Sequence, residues 1–442
     1  MHMDAKRTPY VRGRYEELKA PAVGGVPAQR LPQVVETVSQ MLSTIEKGGL
    51  DAAMEYSRTL DKWAGESIEM TPEQMARVGD ELPAELRTSL EAGSERTRRF
   101  ADAQRAAMED FEIEVLPGVV AGYRYRPVPR VGAYLPAGNF PILSSAFMTV
   151  GVAKAAGVGS VTACTPPMSP TGGNAAVLYS TYLAGADRVF VLGGVQAIAA
   201  MAFGLLGEQP VDMIVGAGNA YVTEAKRQLF GEVGIDLLAG PSEVAVIADE
   251  TADAETVAAD LLGQAEHGPQ SPACLVTTSR ELGTAVVAEI ERQLAGLSTE
   301  YIAGPAWRDY GAVYWAEDRE TAVELMDILA PEHLEVITSD DDWYLDNLSN
   351  YGSVFLGKWS TVAYSDKGIT GTNHVLPTGG VARSNAGLSV SRFLRPLTYQ
   401  RVERSATPEL APHVERIANF EGMAAHEFTA ALRTRWFAAD EQ

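Results

Sequence analysis

Short β-branched runs alternate with helix-length segments along the middle of this chain, between residues 131 and 375. The apolar runs lie at 131–135, 160–164, 188–192, 213–215, 243–248, 273–277, 334–337 and 353–356. The segments between them, such as 219–230 and 255–267, have apolar residues at helical spacing. Strands that alternate with helices form βαβ units, in which neighbouring strands run parallel. The pattern therefore predicts an α/β fold built on mainly parallel sheet.

Strands in this number can form one wide sheet, a closed barrel or two open sheets. The Gly-Pro-Ser sequence at 240–242 interrupts the alternation and divides it into two runs. We therefore predict two open sheets, with a barrel as the alternative. The flanking regions differ, because 31–44, 51–57 and 71–109 favour helices. The C-terminal region is also predicted to be mainly helical, with helical periodicity at 414–432.

The acidic composition limits the partners that this chain can have. It contains 36 Lys+Arg against 58 Asp+Glu, a formal net charge of −22 at pH 7. Nucleic-acid affinity comes largely from basic side chains that neutralise phosphates, so neither nucleic acid nor an anionic membrane surface is an expected partner. The longest apolar stretch, 145–158, is broken by Lys154 and is too short to span a bilayer. Two cysteines, Cys164 and Cys274, and a start at 1–10 without the apolar core of a secretory signal favour the cytoplasm.

Gln264 and His267 lie three residues apart at the end of a predicted helix, just before a Gly-Pro pair. Residues at this spacing share one helix face, which suits two ligands of one metal ion. The alternative is an imidazole near a helix C-terminus, where the helix dipole favours a cation. Spacing alone leaves both interpretations open.

Three further sequences place acids near histidines. Glu332 directly precedes His333, an arrangement that can divide proton transfers between an alcohol and water, although adjacent charged residues are also often merely solvated. The glycine-rich segment 366–374 combines a carboxylate, an amine and an imidazole, which is the composition of a site loop. Glu421 and His426 are five residues apart, so one straight helix does not align them.

The usual dinucleotide fingerprint is not matched in this sequence. Gly216-Ala-Gly218 is followed by Tyr221, and Gly157-Val-Gly159 by Thr162, at the position where the pattern has its third glycine. An unmodified Rossmann domain is therefore not expected. The apolar sequence around Cys274 predicts a buried structural thiol rather than a nucleophile.

Taken together, these motifs resemble the histidinol dehydrogenase family from about residue 117 to 433, and more loosely before that. The matching sequences lie at 130–138, 193–198, 218–226, 239–243, 264–269, 330–334, 371–378 and 421–426. The resemblance implies a zinc- and NAD-dependent dehydrogenase with two incomplete Rossmann-like open sheets. The implied organisation is a helical arm and cover at 1–128 packing with 243–385, an NAD-contacting Rossmann-like domain at 129–242, a second Rossmann-like domain at 243–385 with the metal and acid–base residues, and a helical tail at 386–442 reaching a partner subunit.

The family's roles transfer to this chain position by position. The expected ligands of one zinc per subunit are Gln264, His267 and Asp366, completed by His426 of the partner subunit, so the site would require a homodimer. The acid–base pair would be Glu332 and His333. The expected substrate contacts are Ser144, Ser242, His374 and Glu421. The expected NAD contacts are Tyr134, Pro136, Gln196 and Asn219. The implied reaction oxidises a primary alcohol through a bound aldehyde to a carboxylate, with two NAD per small-molecule substrate.

Two positions depart from the family members that handle histidinol. Those members have Glu four residues before the metal Asp, where this chain has Val362, and usually Tyr directly after it, where this chain has Lys367. The loop that follows is also one residue longer than usual. A cation gained and an anion lost favour a negatively charged substrate by Coulomb attraction. The loop resembles that of the sulfopropanediol dehydrogenases, so we expect an anionic diol such as 2,3-dihydroxypropane-1-sulfonate.

Alternative interpretations remain at the sequence level. L-histidinol would be the substrate if another acidic group met its amine, and an alcohol dehydrogenase with a third substrate is a further alternative. Lys367 can also be a solvated loop lysine. An inactive family member that acts as a binding protein is the remote alternative, because every metal and acid–base position is filled.

Overall fold

The computed structural model describes residues 11–23, 31–137, 140–207 and 209–439. The segment 1–10 and Gly138, the last residue of one family motif, lie outside the described residues. The chain forms two compact units. The first contains the described residues up to Gln104 together with Val128–Phe393, and the second contains Arg105–Pro127 together with the described residues from Leu394 onward.

The strands of the described residues follow one another along the chain. They are β1 Tyr15–Lys19, β2 Phe111–Leu116, β3 Val119–Pro127, β4 Arg130–Tyr134, β5 Ser160–Thr165, β6 Pro167–Ser169, β7 Gly172–Gly173, β8 Arg188–Val191, β9 Met213–Val215, β10 Gly234–Ile235, β11 Val244–Ala248, β12 Ala273–Thr277, β13 Ala312–Ala316, β14 His333–Ile337, β15 Ser353–Leu356 and β16 Leu394–Val402. The eight strands predicted from the sequence are confirmed as β4, β5, β8, β9, β11, β12, β14 and β15.

Helices lie between and beside these strands. They are α1 Pro32–Leu60, α2 Pro72–Arg77, α3 Ala84–Ala106, α4 Val152–Ala155, α5 Ala175–Ala184, α6 Gly194–Ala202, α7 Ala220–Leu229, α8 Ala254–Ala265, α9 Arg280–Leu294, α10 Glu300–Tyr310, α11 Arg319–Leu329, α12 Asp341–Asn347, α13 Val362–Asp366, α14 Thr407–Glu421 and α15 Ala424–Ala439. A π-helical turn at Phe147–Gly151 precedes α4, and 3₁₀ turns lie at Val381–Arg383, Val390–Phe393 and Arg404–Ala406.

The first unit contains two open sheets, as predicted, and not a barrel. One sheet has the order β10-β9-β4-β5-β8 with all its pairs parallel. The strand order reverses between β4 and β9, because β5 and β8 lie on one side of β4 and β9 and β10 on the other. In open α/β sheets this reversal produces a crevice at the carboxyl ends of the strands.

The second sheet has the order β1-β13-β12-β11-β14-β15. Its strands β11 to β15 pair in parallel, and β1 joins the edge antiparallel to β13. The strands β11, β12, β13 and β14 are buried along their whole length, because helices cover both faces of the sheet. Cys274 is one of these buried residues, as predicted, and burial raises the pKa of its thiol to about 11.

The prediction for the N-terminal region holds for α3, where Arg96 and Thr97 donate to the backbone carbonyls of Ile369 and Gly368, but it is wrong in two other respects. First, α1 does not pack with 243–385: its apolar face, which includes Val38 and Ile45, is part of one core cluster with Ile198 and Met201 of α6. Only β1 joins the sheet of the predicted partner domain. Second, the region is not only helical, because it also contains β1, β2 and β3. Helix α1 unites the predicted segments 31–44 and 51–57 and is interrupted at Gly49, which has φ +64°.

The second unit contains a three-stranded antiparallel sheet, in the order β16-β3-β2, and the helices α14 and α15. The predicted helical tail therefore begins with a nine-residue strand, β16. The predicted helix at 414–432 is divided at Gly422, whose left-handed conformation (φ +72°) ends α14. Glu421 consequently lies on α14 and His426 on α15, which is the bend that their spacing required.

None of the helices in the described part of the chain combines the length and the apolar composition needed to cross a lipid bilayer.

Candidate active site

The expected acid–base residues, Glu332 and His333, lie at the amino end of β14, beside the start of the neighbouring strand β11. Glu332 directly precedes β14, and His333 is its first residue, paired in register with Val244 of β11. Both side chains are buried. The turn before them passes through Ala330, which adopts a left-handed conformation (φ +47°) that an alanine rarely occupies. Backbone strain of this kind is often retained at functional sites.

The carboxylate of Glu332 is held by the residues that precede β11. Its Oε2 accepts hydrogen bonds from Ser242 Oγ (2.7 Å) and from the backbone N–H of Glu243 (2.8 Å). In return, Glu243 Oε1 accepts the backbone N–H of Glu332 (3.3 Å) and of Gly379 (3.0 Å). Burial, and then the charge of Glu332, raises the pKa of Glu243 to about 7.

The orientation of His333 is set by the same strand. Its Nδ1 donates to the backbone carbonyl of Glu243 (3.0 Å), and because a carbonyl only accepts, Nδ1 must hold a proton. The other ring nitrogen, Nε2, is buried, lacks a hydrogen-bond partner among the described residues, and lies 3.6 Å from Asp366 Oδ1. Burial lowers the pKa of His333, but the neighbouring Glu332 and Asp366 carboxylates raise it overall to about 9.

Three of the expected metal ligands meet beside this pair. Gln264 is on α8, His267 follows that helix, and Asp366 is the last residue of α13. His267 Nε2 lies 3.3 Å from Asp366 Oδ2. Burial raises the pKa of Asp366, but hydrogen bonding to His267 and the charges of His333 and His374 outweigh it and hold that pKa well below its usual range.

This donor set fits a metal ion such as zinc. The side-chain amide of Gln264 donates from Nε2 to Ser242 Oγ, so its carbonyl oxygen is left to face a cation. Imidazole nitrogen together with carboxylate and amide oxygens is a ligand combination that zinc accepts. No three His, Cys, Asp or Glu side chains of the described residues form a metal-binding group. One expected ligand, Gln264, is a glutamine, so such a group would not include it.

Ser144 and His374 lie at the same site. Ser144 Oγ and His374 Nδ1 both donate to the backbone carbonyl of Asp366, the second over 3.2 Å. Ser145, which the sequence analysis did not select, donates to His374 Nε2 (3.2 Å). Burial lowers the pKa of His374 against the opposing charge of Asp366, consistent with a neutral ring that accepts one hydrogen bond and donates another.

The two positions that depart from the family differ in exposure. Lys367 is exposed directly after Asp366, and its ammonium forms no hydrogen bond or ion pair with any other described residue. Val362 is buried and packs into the apolar cluster that includes Ala258 and Leu262 of α8. A buried carboxylate, Glu335, accepts the backbone N–H of Val362 (2.8 Å), and burial and then the charge of nearby Asp260 raise its pKa well above the usual range.

The expected NAD positions surround the crevice of the first sheet. Tyr134 ends β4, and its hydroxyl oxygen accepts the backbone N–H of Gly194 at the start of α6 (3.2 Å). Asn219 caps the N-terminus of α7. Pro136, two residues beyond β4, is half-buried. Gln196 is only 1% exposed and donates from Nε2 to Asp61 (2.7 Å), a residue that no sequence motif indicated.

The remaining expected residues, Glu421 and His426, belong to the second unit, where both are exposed. Sequence reasoning also missed the positioning contacts of Glu243. That residue ends the motif at 239–243, but only the parallel pairing of β11 with β14 brings it beside Glu332 and His333. The signal that could have indicated it is a glutamate directly before an entirely apolar strand.

Comparisons with known proteins show the family to which this chain belongs. Residues 26–434 match the family model described as histidinol dehydrogenase. A histidinol dehydrogenase homolog of Ruegeria pomeroyi is 47% identical over 411 residues, which are 92% of this chain and 94% of that protein. The sulfopropanediol 3-dehydrogenase of the same organism is 43% identical over 410 residues, with the same two coverages. The crystal structure of histidinol dehydrogenase from Elizabethkingia anophelis has a TM-score of 0.88 at 33% identity and covers 93% of this chain and 95% of that chain. The chain therefore belongs to the histidinol dehydrogenase family and is a dehydrogenase.

Proposed function

We propose that this chain is a zinc- and NAD-dependent dehydrogenase that oxidises a primary alcohol through an aldehyde to a carboxylate, with an anionic diol as substrate. 2,3-Dihydroxypropane-1-sulfonate is the specific compound that we propose. The first oxidation needs a base for the alcohol proton, and the second needs water activated at the aldehyde carbon.

His333 is suited to take the alcohol proton. Its Nδ1–H is committed to the carbonyl of Glu243, so in the neutral ring, which is populated above the raised pKa of about 9, the accepting lone pair is on Nε2, on the side of Asp366. The Glu332 carboxylate, 3.5 Å from Nδ1, stabilises the imidazolium that proton transfer produces. Because Nδ1 is already hydrogen-bonded and Glu332 stabilises the resulting charge, the imidazole can accept a proton without reorienting.

Glu332 is suited to help water add to the aldehyde. Its Oε2 accepts from Ser242, and Ser242 in turn accepts from the amide of Gln264, so one hydrogen-bonded chain joins the acid–base pair to the metal ligands. Gln264, His267, Asp366 and His426 of the partner subunit would hold zinc, and Tyr134, Pro136, Gln196 and Asn219 would hold NAD. Zinc, when bound, would polarise the substrate oxygen as a Lewis acid, and NAD would accept a hydride in each oxidation.

The crevice of the first sheet fits a dinucleotide. It lies where the strand order reverses, and the N-termini of α6 and α7 open into it. At Gly216 (φ +112°) an added Cβ would lie 2.1 Å from the carbonyl oxygen of Tyr134, so the backbone there comes close in a way that only glycine permits.

The observation that carries the substrate assignment is the unpaired, exposed ammonium of Lys367 next to Asp366. A cation at the edge of the metal site attracts a sulfonate and repels the ammonium of histidinol. Val362, buried in an apolar cluster, supplies no compensating carboxylate. The 43% identity with a sulfopropanediol 3-dehydrogenase supports the same assignment.

We also propose a homodimer in which His426 of the partner subunit completes the metal site. His426 is exposed, and the helices that flank it present apolar side chains to solvent, including Phe420 (95% exposed), Ile417 and Phe428. Exposed apolar groups of this size in one region indicate a protein–protein contact.

The test measures NADH formation by zinc-loaded protein at mildly alkaline pH, with L-histidinol and 2,3-dihydroxypropane-1-sulfonate side by side. Two NADH per sulfonate and no reaction with histidinol is the expected result. Two NADH per histidinol would instead make the chain a histidinol dehydrogenase of histidine biosynthesis. Failure to bind zinc and NAD would indicate an inactive family member that acts as a binding protein.

A further inference from the structure

The first sheet has a carboxylate at the carboxyl ends of β5 and β8 that neither strand supplies. It belongs to Asp61, the residue that ends α1. An added Cβ on Gly193, which directly precedes α6, would lie 3.4 Å from Asp61 Oδ2 and 2.7 Å from the Cβ of Pro166, the residue that follows β5. Asp61 is therefore held over the ends of both strands by a helix from the N-terminal region.

The side chain of Asp61 is oriented by a hydrogen bond from the protein and remains partly accessible to a ligand. Gln196 donates to Oδ2 (2.7 Å), and this is the sole side-chain hydrogen bond of Asp61 within the part of the chain that the structure describes. Gln196 is buried, whereas Asp61 is only half-buried, so Asp61 is the more accessible member of the pair. Burial raises the pKa of Asp61, and the hydrogen bond from Gln196 opposes that shift and favours the charged form.

This is the place where dinucleotide-binding sheets have an acidic residue. In those sheets an Asp or Glu follows the second strand and accepts hydrogen bonds from a ribose of the dinucleotide. Here β5 is next to β4 and takes the position of that second strand. The residues that follow it, 166–174, include neither Asp nor Glu. The sheet thus lacks its own acid, and Asp61 provides one from a distant part of the chain.

We propose that Asp61 binds the ribose hydroxyls of the adenosine half of NAD and selects NAD over its 2′-phosphorylated form. The inference rests on the proposed NAD dependence. A carboxylate accepts hydrogen bonds from a ribose diol but repels a phosphate at the same position. The adjacent cation, Lys62, donates to the backbone carbonyl of Thr59, so its ammonium is hydrogen-bonded to the C-terminal end of α1.

The experiment measures the equilibrium affinities of the full-length, zinc-loaded protein for NADH and NADPH by fluorescence titration, without turnover. The variant is Asp61→Asn, because Asn keeps an oxygen that can accept from Gln196 and removes only the charge. The matched control is Glu46→Ala, which removes an exposed acid from the same helix. Thermal unfolding of each variant establishes that it is folded.

We expect the wild-type protein to prefer NADH, and Asp61→Asn to reduce the NADH:NADPH preference by about tenfold or more, the effect of one lost charge interaction. Glu46→Ala should leave the preference unchanged. If the wild type binds NADH and folded Asp61→Asn keeps the same NADH:NADPH preference, the role of Asp61 is overturned while the proposed cofactor is not. A wild-type protein that binds neither nucleotide would overturn the proposed cofactor and this inference together.

Discussion

Glu243 contacts both members of the expected acid–base pair: its backbone carbonyl accepts from His333 Nδ1 at 3.0 Å, and its side chain accepts the backbone N–H of Glu332 at 3.3 Å. Its own backbone N–H donates to the Glu332 carboxylate. The contact pattern is possible because β11 and β14 are parallel neighbours, so that the residues preceding each strand meet at the same edge. The tautomer and the orientation of His333 are thus fixed by a residue with no expected contact to the substrate.

The side chain of Glu243 should matter for turnover rather than for substrate affinity. Replacing it with alanine leaves the backbone N–H groups of Glu332 and Gly379 without their acceptor, so the acid–base pair loses its position. We expect Glu243→Ala to lower kcat by about tenfold or more with little change in KM. Glu243→Gln keeps an accepting oxygen and should recover most of that loss. Steady-state kinetics measure both, and a wild-type kcat in Glu243→Ala would refute the positioning role.

The same residue should make stability depend on pH. Because the pKa of Glu243 is raised from 4.5 to about 7 in the folded protein, the folded state binds the proton more tightly than the unfolded state. Its ionisation therefore costs nothing below pH 4.5, destabilises progressively between pH 4.5 and 7, and costs at most about 3 kcal/mol above that. Glu243→Gln should gain stability relative to wild type across this window, as thermal unfolding at pH 5 and pH 8 can measure. An equal difference at both values would contradict the raised pKa.

Removal of the Lys367 charge should weaken binding of the anionic substrate. We expect Lys367→Met to raise KM for the sulfonate by about five- to tenfold while kcat changes little, because a single partly solvated charge pair is worth about 1 kcal/mol. The matched control is Lys358→Met, since Lys358 is also exposed but lies against the ring of Trp359. If Lys367 is only a solvated loop lysine, the two variants will have the same KM.

A metal site shared between subunits predicts complementation. His267→Ala and His426→Ala should each be inactive as homodimers, because each removes one expected ligand from every site. Mixed dimers would contain one site with both substitutions and one with neither, so an equimolar mixture should recover about a quarter of wild-type activity. Activity is measured after the two variants are unfolded and refolded together. Recovery of no activity, with mixed dimers demonstrated by differential tags, would place all ligands on one chain.

Gly216 should tolerate no side chain. An alanine there would have its Cβ 2.1 Å from the carbonyl oxygen of Tyr134 and would have to adopt φ +112°. We expect Gly216→Ala to lower the unfolding temperature and to weaken NADH binding. The control is Gly263→Ala in α8, where an added Cβ meets nothing within 4 Å and helix propensity predicts a gain of about 1 kcal/mol. Equal unfolding temperatures for the two variants would contradict the close contact.

Strands and motifs that depend only on neighbouring residues in the chain could be predicted from the sequence. The eight β-branched runs became strands because central parallel strands are buried on both faces and must be continuously apolar. The sequence motifs likewise indicated residues such as Gln264, Asp366 and His333, which the first unit brings together. A residue type at a defined spacing is readable without knowing its neighbours in space.

The burial of strand faces and the packing partners of helices depend on residues far apart in the sequence, so they became known only from the tertiary structure. Strand β2 has an apolar residue at every second position, a pattern typical of a strand with one buried face. Ile113 and Val115 are nevertheless exposed. Helix α1 packs with α6 rather than with the second sheet, because its apolar face is complementary to that helix and periodicity does not specify a partner. Asp61 and Glu243 acquired their contacts in the same way. Each is an ordinary acid in the sequence. The packing of α1 against α6 brings Asp61 to the crevice, and the pairing of β11 with β14 brings Glu243 beside Glu332 and His333.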